Sequence, residues 1–135
     1  WGLAMTNPIA IDRGSGVNAL HQTVRQGVDR LRKGFCVVMF PEGTRMKPGQ
    51  TRKHHIGGAF LTIKTGVAIT PVAHNAGTLW GKNAIIKQPG EIIVSVGPQI
   101  KPHGLKPTEL KQKVEEWINK ETNSFREVNT KSNEH

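Results

Sequence analysis

Two long stretches of the chain repeat apolar residues at the three- and four-residue steps of an amphipathic helix. The first predicts a helix over residues 17–33 that stops at Gly34, and its apolar positions are Val17, Leu20, Val24, Val28 and Leu31. The second predicts a helix over 108–125, with its apolar face at Leu110, Val114, Trp117, Ile118 and Phe125. A third, shorter helix is predicted over 57–66, where Gly66 ends it.

Short apolar runs between these helices predict strands. They lie at residues 8–12, 35–40 and 68–73, and an alternating run at 91–96 predicts a further strand near a sheet edge. The order strand, helix, strand over residues 8–40 is typical of a βαβ unit, whose two strands are parallel and joined by a right-handed crossover. The sequence therefore predicts an α/β fold with a mostly parallel sheet flanked by helices.

The length of the chain fits one domain, predicted over residues 1–126. The last residues, 127–135, are polar and predict a disordered tail. No run approaches 18 apolar residues, so no transmembrane span is predicted within these 135 residues. Cys36 has no second cysteine to pair with, and we expect it to be a small core residue of the strand 35–40.

The net charge of +9 is concentrated in one half of the chain. Residues 1–66 hold ten Lys and Arg against three Asp and Glu, whereas 67–135 hold nine against seven. Such a field favours anionic partners, either phosphorylated substrates, anionic lipid surfaces or nucleic acid, although a solvated basic surface is an alternative. Nucleic acid is disfavoured because the seven aromatic residues are not interleaved with basic ones.

The candidate chemistry lies in Phe-Pro-Glu-Gly-Thr-Arg at residues 40–45, directly after the predicted strand 35–40. Ligands of open α/β sheets bind outside the carboxyl ends of the strands. Gly43 permits close backbone approach, and the guanidinium of Arg45 suits phosphate oxygens. Arg13 follows the strand 8–12 and is expected at the same edge of the sheet. These residues predict an oxyanion site, most readily for a phosphate.

Other sites are disfavoured by spacing. No Gly-x-x-x-x-Gly-Lys-Ser/Thr run is present, which excludes a Walker-type phosphate loop. His54 and His55 are adjacent, point different ways and make a poor metal pair, so we expect no metal. His74 follows a strand in an Ala-His-Asn-Ala turn, where capping a loop is favoured over catalysis.

Structural alternatives stay open for each candidate residue. For Glu42 and Thr44 the alternative is local stabilisation of their own turn. For Arg13 the alternative role is a salt bridge with Asp12 or another acid. For Arg45 the alternative role is to anchor the 41–55 loop.

Four blocks in order resemble the glycerolipid acyltransferases, the family of 1-acylglycerol-3-phosphate acyltransferases. The hexapeptide at 40–45 resembles the signature block of the family, and Ile-Ala-Ile-Asp-Arg at 9–13 resembles its second block. Ile-Gly-Gly-Ala at 56–59 is similar to the start of the intervening helix, and Ile-Thr-Pro-Val-Ala-His-Asn at 69–75 is similar to the fourth block. The bacterial branch fits best, and the fold implied is glycerol-3-phosphate acyltransferase-like.

The first block of that family, His-x-x-x-x-Asp, is absent from these 135 residues. The resemblance implies that its histidine is the general base, oriented by the aspartate, so no catalytic residue is expected in this chain. The expectation is a C-terminal fragment, a partial acyltransferase domain that is inactive alone. The residues implied to bind the acceptor phosphate are Arg13, Glu42, Gly43, Thr44 and Arg45.

The resemblance implies transfer of a fatty acyl group from an acyl carrier protein or coenzyme A thioester to lysophosphatidate, giving phosphatidate, without a cofactor or metal. It also implies an anionic membrane surface as a partner and a place on the cytoplasmic face of the bacterial inner membrane. The alternative is a non-enzymatic phosphate- or anionic-lipid-binding module derived from the same fold.

Overall fold

The computed structural model of the protein describes residues 8–9, 16–44, 46, 50, 53–81 and 85–132, the last seven by their backbone alone. Within these ranges the elements follow the order α1 (Val17–Arg32), α2 (Gly57–Thr65), β1 (Val72–His74), α3 (Ala76–Leu79), β2 (Val94–Val96) and α4 (Pro107–Ser132).

The three predicted helices are confirmed. α1 and α2 match the predicted ranges to within a residue, and α2 ends where Gly66 adopts the left-handed conformation with φ of 72°. α4 begins at Pro107 and continues to Ser132, so its backbone is helical into the tail for which the sequence predicts disorder. The domain boundary at 126 stays a prediction.

α2 lies at the centre of the helical packing, against α1 on one side and α4 on the other. The buried apolar side chains come from α2, β1 and α4: Ala59, Leu61, Ala73, Leu110 and Phe125. Gly27 of α1 sits on Leu61, so close that a Cβ atom at Gly27 would lie 2.6 Å from Leu61 Cδ2. The absence of a side chain at Gly27 thus allows the two helices to approach closely.

The sheet in the described part of the chain has two antiparallel strands, β1 and β2. Ala73 faces Ser95 across the pair, and the Ser95 hydroxyl donates a 2.7 Å hydrogen bond to Glu121 of α4. The alternate residues of the strands, Val72, Val94 and Val96, are exposed on the other face. The predicted strands 68–73 and 91–96 are thus present in shortened form. The parallel character of the sheet is not confirmed, and the strand predicted at 8–12 lies largely outside the described residues.

The prediction of a buried strand at 35–40 is wrong. Among the described residues, no backbone hydrogen bond joins 36–39 to a neighbouring strand. Phe40 and Val38 are 72% and 80% exposed, and Cys36 is exposed as well, so Cys36 is not the core residue that the sequence predicts. Apolar composition favours a strand, but only a paired neighbour completes one.

Candidate functional site

The signature segment forms a tight turn over residues 41–44. Gly43 has φ of 69°, and its N–H donates a 3.0 Å hydrogen bond to the carbonyl of Phe40. Because this φ strains residues with a Cβ atom, glycine is the residue that the turn favours. The turn places Glu42, Gly43 and Thr44 together, each partly exposed. Arg13 and Arg45 lie outside the described residues, so their place beside the turn stays a prediction.

The chain returns to this turn at His54 and His55, just before α2 begins. The His55 N–H donates a 2.8 Å hydrogen bond to the carbonyl of Pro41. The His55 ring also covers Gly43, where a Cβ atom would lie 2.8 Å from Nε2 of His55. Gly43 is therefore required twice, for its positive φ and for the room that it leaves to His55.

His54 lies beside the carboxylate of the signature segment. Its Nε2 is 4.0 Å from Oε1 of Glu42, a close polar contact that is too long for a hydrogen bond. The His54 residue is 6% exposed, whereas the Glu42 side chain is 28% exposed. Nδ1 of His54 is buried and has no hydrogen-bond partner among the described residues.

Sequence reasoning missed both histidines as neighbours of the turn, because it considered them only as a metal pair. His54 contacts Glu42 while His55 covers Gly43, so the two side chains meet neighbouring residues of the turn. No spacing rule indicates this contact between residues 12 positions apart. Across the described part of the chain, no group of three or more His, Cys, Asp or Glu side chains is placed to hold a metal ion.

A cleft of about 600 Å³ lies between residues 53–56 and α4. The residues of α4 that line it are Thr108, Lys111, Gln112 and Glu115. Lys111 and Glu115 form an ion pair of 3.5 Å, so these two charges largely compensate each other. The cleft therefore has a mixed polar lining, with Lys53 as its other ammonium group.

The fourth block has a structural role. Asn75 is buried, and its side chain bonds the backbone at Glu91 and Ile93. Nδ1 of His74 accepts a 3.3 Å hydrogen bond from the N–H of Ala76, which confirms loop capping. Pro71 accepts a 2.9 Å hydrogen bond from Gly97 through its carbonyl and holds the strand pair at its other end.

The chain is similar to known acyltransferases. A family model described as Acyltransferase matches residues 1–75. A 1-acyl-sn-glycerol-3-phosphate acyltransferase of Pseudomonas aeruginosa is 44% identical over 121 residues, which cover 87% of this chain and 47% of that protein. The chloroplastic 1-acyl-sn-glycerol-3-phosphate acyltransferase LPAT1 of Arabidopsis thaliana is 30% identical over 97 residues, or 72% of this chain and 26% of that protein.

A solved structure shares the fold. The crystal structure of the 1-acyl-sn-glycerophosphate acyltransferase PlsC from Thermotoga maritima superimposes with a TM-score of 0.71 at 26% identity. The match covers 76% of this chain and 44% of that one. The chain thus spans about half the length of the bacterial proteins that it resembles, and about a quarter of the plant protein.

Proposed function

The chain belongs to the acyltransferase family, and from this premise we propose that it is the acceptor-binding part of a 1-acylglycerol-3-phosphate acyltransferase. The observation that carries the proposal is the 44% identity with the Pseudomonas aeruginosa enzyme. Because that match covers 87% of this chain, it necessarily includes the turn 41–44, helix α2 and strand β1. The shared region therefore holds the candidate site as well as the surrounding fold.

The proposed reaction is acyl transfer. The free hydroxyl of lysophosphatidate attacks the carbonyl carbon of a thioester on acyl carrier protein or coenzyme A. The new ester is phosphatidate, the thiol leaves, and a general base takes the hydroxyl proton. We infer that this base is the histidine of a His-x-x-x-x-Asp block elsewhere in the full protein, since these 135 residues lack that block.

Within the chain, the proposed role of the turn is to bind the acceptor phosphate. Arg45, and Arg13 if the sheet brings it near, supply the cations for phosphate oxygens. The carboxylate of Glu42 would repel a phosphate at contact distance, so its role is to orient a neighbouring donor. Gly43 contributes the positive φ that shapes the turn of the proposed site, and the Thr44 hydroxyl provides a neutral hydrogen bond.

Exposed apolar surface supports a larger folded unit. The segment 35–40 and the outer face of the β1–β2 pair are both apolar and open to solvent. Exposed apolar patches of this kind mark surfaces that other segments or partners cover. We infer that the remainder of the acyltransferase domain packs here.

The proposed location is the cytoplasmic face of the bacterial inner membrane, where a lysolipid acceptor is available. The net charge of +9 supports attraction to an anionic lipid surface. None of the described helices is long and apolar enough to cross a bilayer. The positive charge is the basis on which we propose association with the lipid surface for this region.

The test compares the full protein that contains this chain with the isolated 135 residues. Each is incubated with lysophosphatidate and an acyl thioester, and both phosphatidate and free thiol are measured. We expect turnover by the full protein and none by the 135 residues, because general-base catalysis alone contributes about 10²–10⁴-fold. Turnover by the isolated chain would place the base within it. Lysophosphatidate binding without turnover by the full protein would favour a non-enzymatic lipid-binding module.

A further inference from the structure

His54 is buried, and one of its two ring nitrogens lacks a hydrogen-bond partner among the described residues. The residue is 6% exposed, and its Nδ1 finds no hydrogen-bond partner among the described residues. Buried polar atoms are nearly always hydrogen-bonded, because leaving one unpaired destabilises the folded state. An apolar ring of the same size would avoid this cost. Packing alone therefore does not account for a histidine here.

The other ring nitrogen supplies a reason. Nε2 lies 4.0 Å from Oε1 of Glu42, in the centre of the signature turn. This close polar contact joins the imidazole ring to the Glu42 carboxylate. Movement of about 1 Å would convert it into a charge-assisted hydrogen bond, and contacts at catalytic sites are often long until the ligand binds.

The backbone next to His54 is fixed to the same turn. The His55 N–H bonds the carbonyl of Pro41 at 2.8 Å, and the His55 ring lies on Gly43. Residue 56 then leads directly into α2, which packs between α1 and α4. The His54 ring is buried beside a backbone that is tied to the turn, whereas the Glu42 side chain is 28% exposed. A buried ring beside a partly exposed carboxylate is an arrangement that can set the orientation of the carboxylate.

We propose that His54 is a positioning residue, whose Nε2 orients the Glu42 carboxylate within the acceptor-phosphate site. The inference rests on the proposed function and deepens it. His54 does not contact the acceptor and acts only through Glu42. The unpaired Nδ1 then destabilises the fold, while the histidine is kept for its role in the site. Such exceptions to the rules of packing are expected at functional positions.

The kinetic test uses three variants of the full protein. His54→Phe keeps the ring and removes Nε2, His54→Gln restores a donor near the position of Nε2, and His21→Phe makes the same change at an exposed histidine of α1. We expect His54→Phe to raise the KM for lysophosphatidate about three- to tenfold, equivalent to a contact of about 0.7–1.4 kcal/mol. The thioester KM should not change, and the melting temperature should stay the same or rise. His54→Gln should recover part of the loss.

Repeating His54→Phe in a Glu42→Gln protein shows whether His54 acts through the Glu42 carboxylate or affects the protein in general. In a Glu42→Gln protein the carboxylate is gone, so adding His54→Phe should cause no further increase in the acceptor KM. If His54→Phe raises the acceptor KM by the same factor in the wild-type and the Glu42→Gln protein, the proposal is overturned. A fall in melting temperature with equal effects on both substrates also overturns it, because that pattern describes a purely structural residue.

A spectroscopic readout is independent of turnover. In protein labelled with ¹³C-glutamate, the carboxyl resonance of Glu42 is assigned by its loss in Glu42→Gln. We expect it to shift in His54→Phe and to stay unchanged in His21→Phe. An unchanged resonance in His54→Phe overturns the contact itself. Wild-type protein that makes no phosphatidate would refute the proposed function, while a shifted Glu42 resonance would still support the positioning of Glu42 by His54.

Discussion

The side-chain Oδ1 of Asn75 accepts a 2.8 Å hydrogen bond from the backbone N–H of Ile93. Its Nδ2 donates to the carbonyl of Glu91 at 3.2 Å, and its own N–H donates to the carbonyl of Ile93 at 3.3 Å. One buried side chain thus joins the end of β1 to the segment that enters β2. These bonds fix a loop of about 18 residues across the sheet edge.

Replacing Asn75 by alanine should therefore destabilise the fold. The Ile93 N–H and the Glu91 carbonyl would both lose a partly buried hydrogen bond. The expected cost is about 1–3 kcal/mol in the free energy of unfolding. Urea denaturation of the full protein measures this loss. Asn18→Ala, at an exposed position in the first turn of α1, is the matched control and should change stability by less than about 0.5 kcal/mol. Equal stability of the two variants would contradict the clamp.

A methyl group at Gly27 should disturb the contact of α1 with α2. A Cβ atom there would lie 2.6 Å from Cδ2 of Leu61, itself a buried side chain. Overpacking costs about 1–3 kcal/mol, while alanine gains about 1 kcal/mol in helix propensity. We expect a net loss of about 1 kcal/mol for Gly27→Ala, measured as a lower midpoint of urea unfolding.

Gly58→Ala is the control for that change. A Cβ atom at Gly58 meets only the Met39 sulfur at 3.4 Å, within reach of a flexible side chain. Stability should therefore be unchanged or slightly higher, because alanine favours the helix. Stabilisation by Gly27→Ala to the same extent would show that α1 and α2 are not in tight contact there.

The carboxyl of Asp29 should titrate below its ordinary value. The main cause is a 3.0 Å hydrogen bond from the Lys33 ammonium, which lowers the pKa of Asp29 from 3.8. The positive charge of Lys33, and the hydrogen bond and charge of Arg30, lower this pKa further, whereas partial desolvation opposes the shift. Because the pKa of Asp29 is lower in the folded state than in the unfolded state, the carboxylate stabilises the fold fully at a pH above the unfolded-state pKa. The stabilisation is lost as the pH falls through the folded-state pKa.

NMR titration of the Asp29 side-chain carboxyl checks this prediction. The midpoint should lie below 3.8 in the wild type and move back towards that value in Lys33→Met, which removes the first cause of the shift. Because Asp29 is exposed to solvent, high salt should reduce the difference. A wild-type midpoint at or above 3.8 would contradict the ion pair.

Arg45→Ala should weaken the use of lysophosphatidate more than the use of the thioester. A charge-assisted hydrogen bond contributes roughly 1.5–3 kcal/mol, so the acceptor KM should rise about ten- to a hundredfold. Arg45→Lys should recover only part of this, because an ammonium keeps the charge but loses the planar fork. Steady-state kinetics with each substrate varied in turn measures both KM values.

The melting temperature distinguishes the two roles of Arg45. If Arg45 only holds the 41–55 loop, both substitutions lower the melting temperature and affect both substrates alike. A folded Arg45→Ala protein with an unchanged acceptor KM would remove Arg45 from the phosphate site.

The family and the helices could be predicted from the sequence because both depend on local information. The steps from Val17 to Leu31 fix an apolar face within one helix, and Gly66 ends α2 through its own backbone freedom. The four blocks indicate the family without any coordinate. Likewise, Gly43 indicates a turn with positive φ from its place in Pro-Glu-Gly-Thr.

Only the tertiary structure decided which apolar segment is buried and which residues meet at the turn. Residues 35–40 have the composition of a strand, but a strand needs hydrogen bonds from another segment, and the described residues provide none. The contact of His54 with Glu42 spans 12 positions and depends on where the start of α2 lies relative to the turn 41–44. Local propensity does not predict such contacts, because their free energy arises between segments that are distant in sequence.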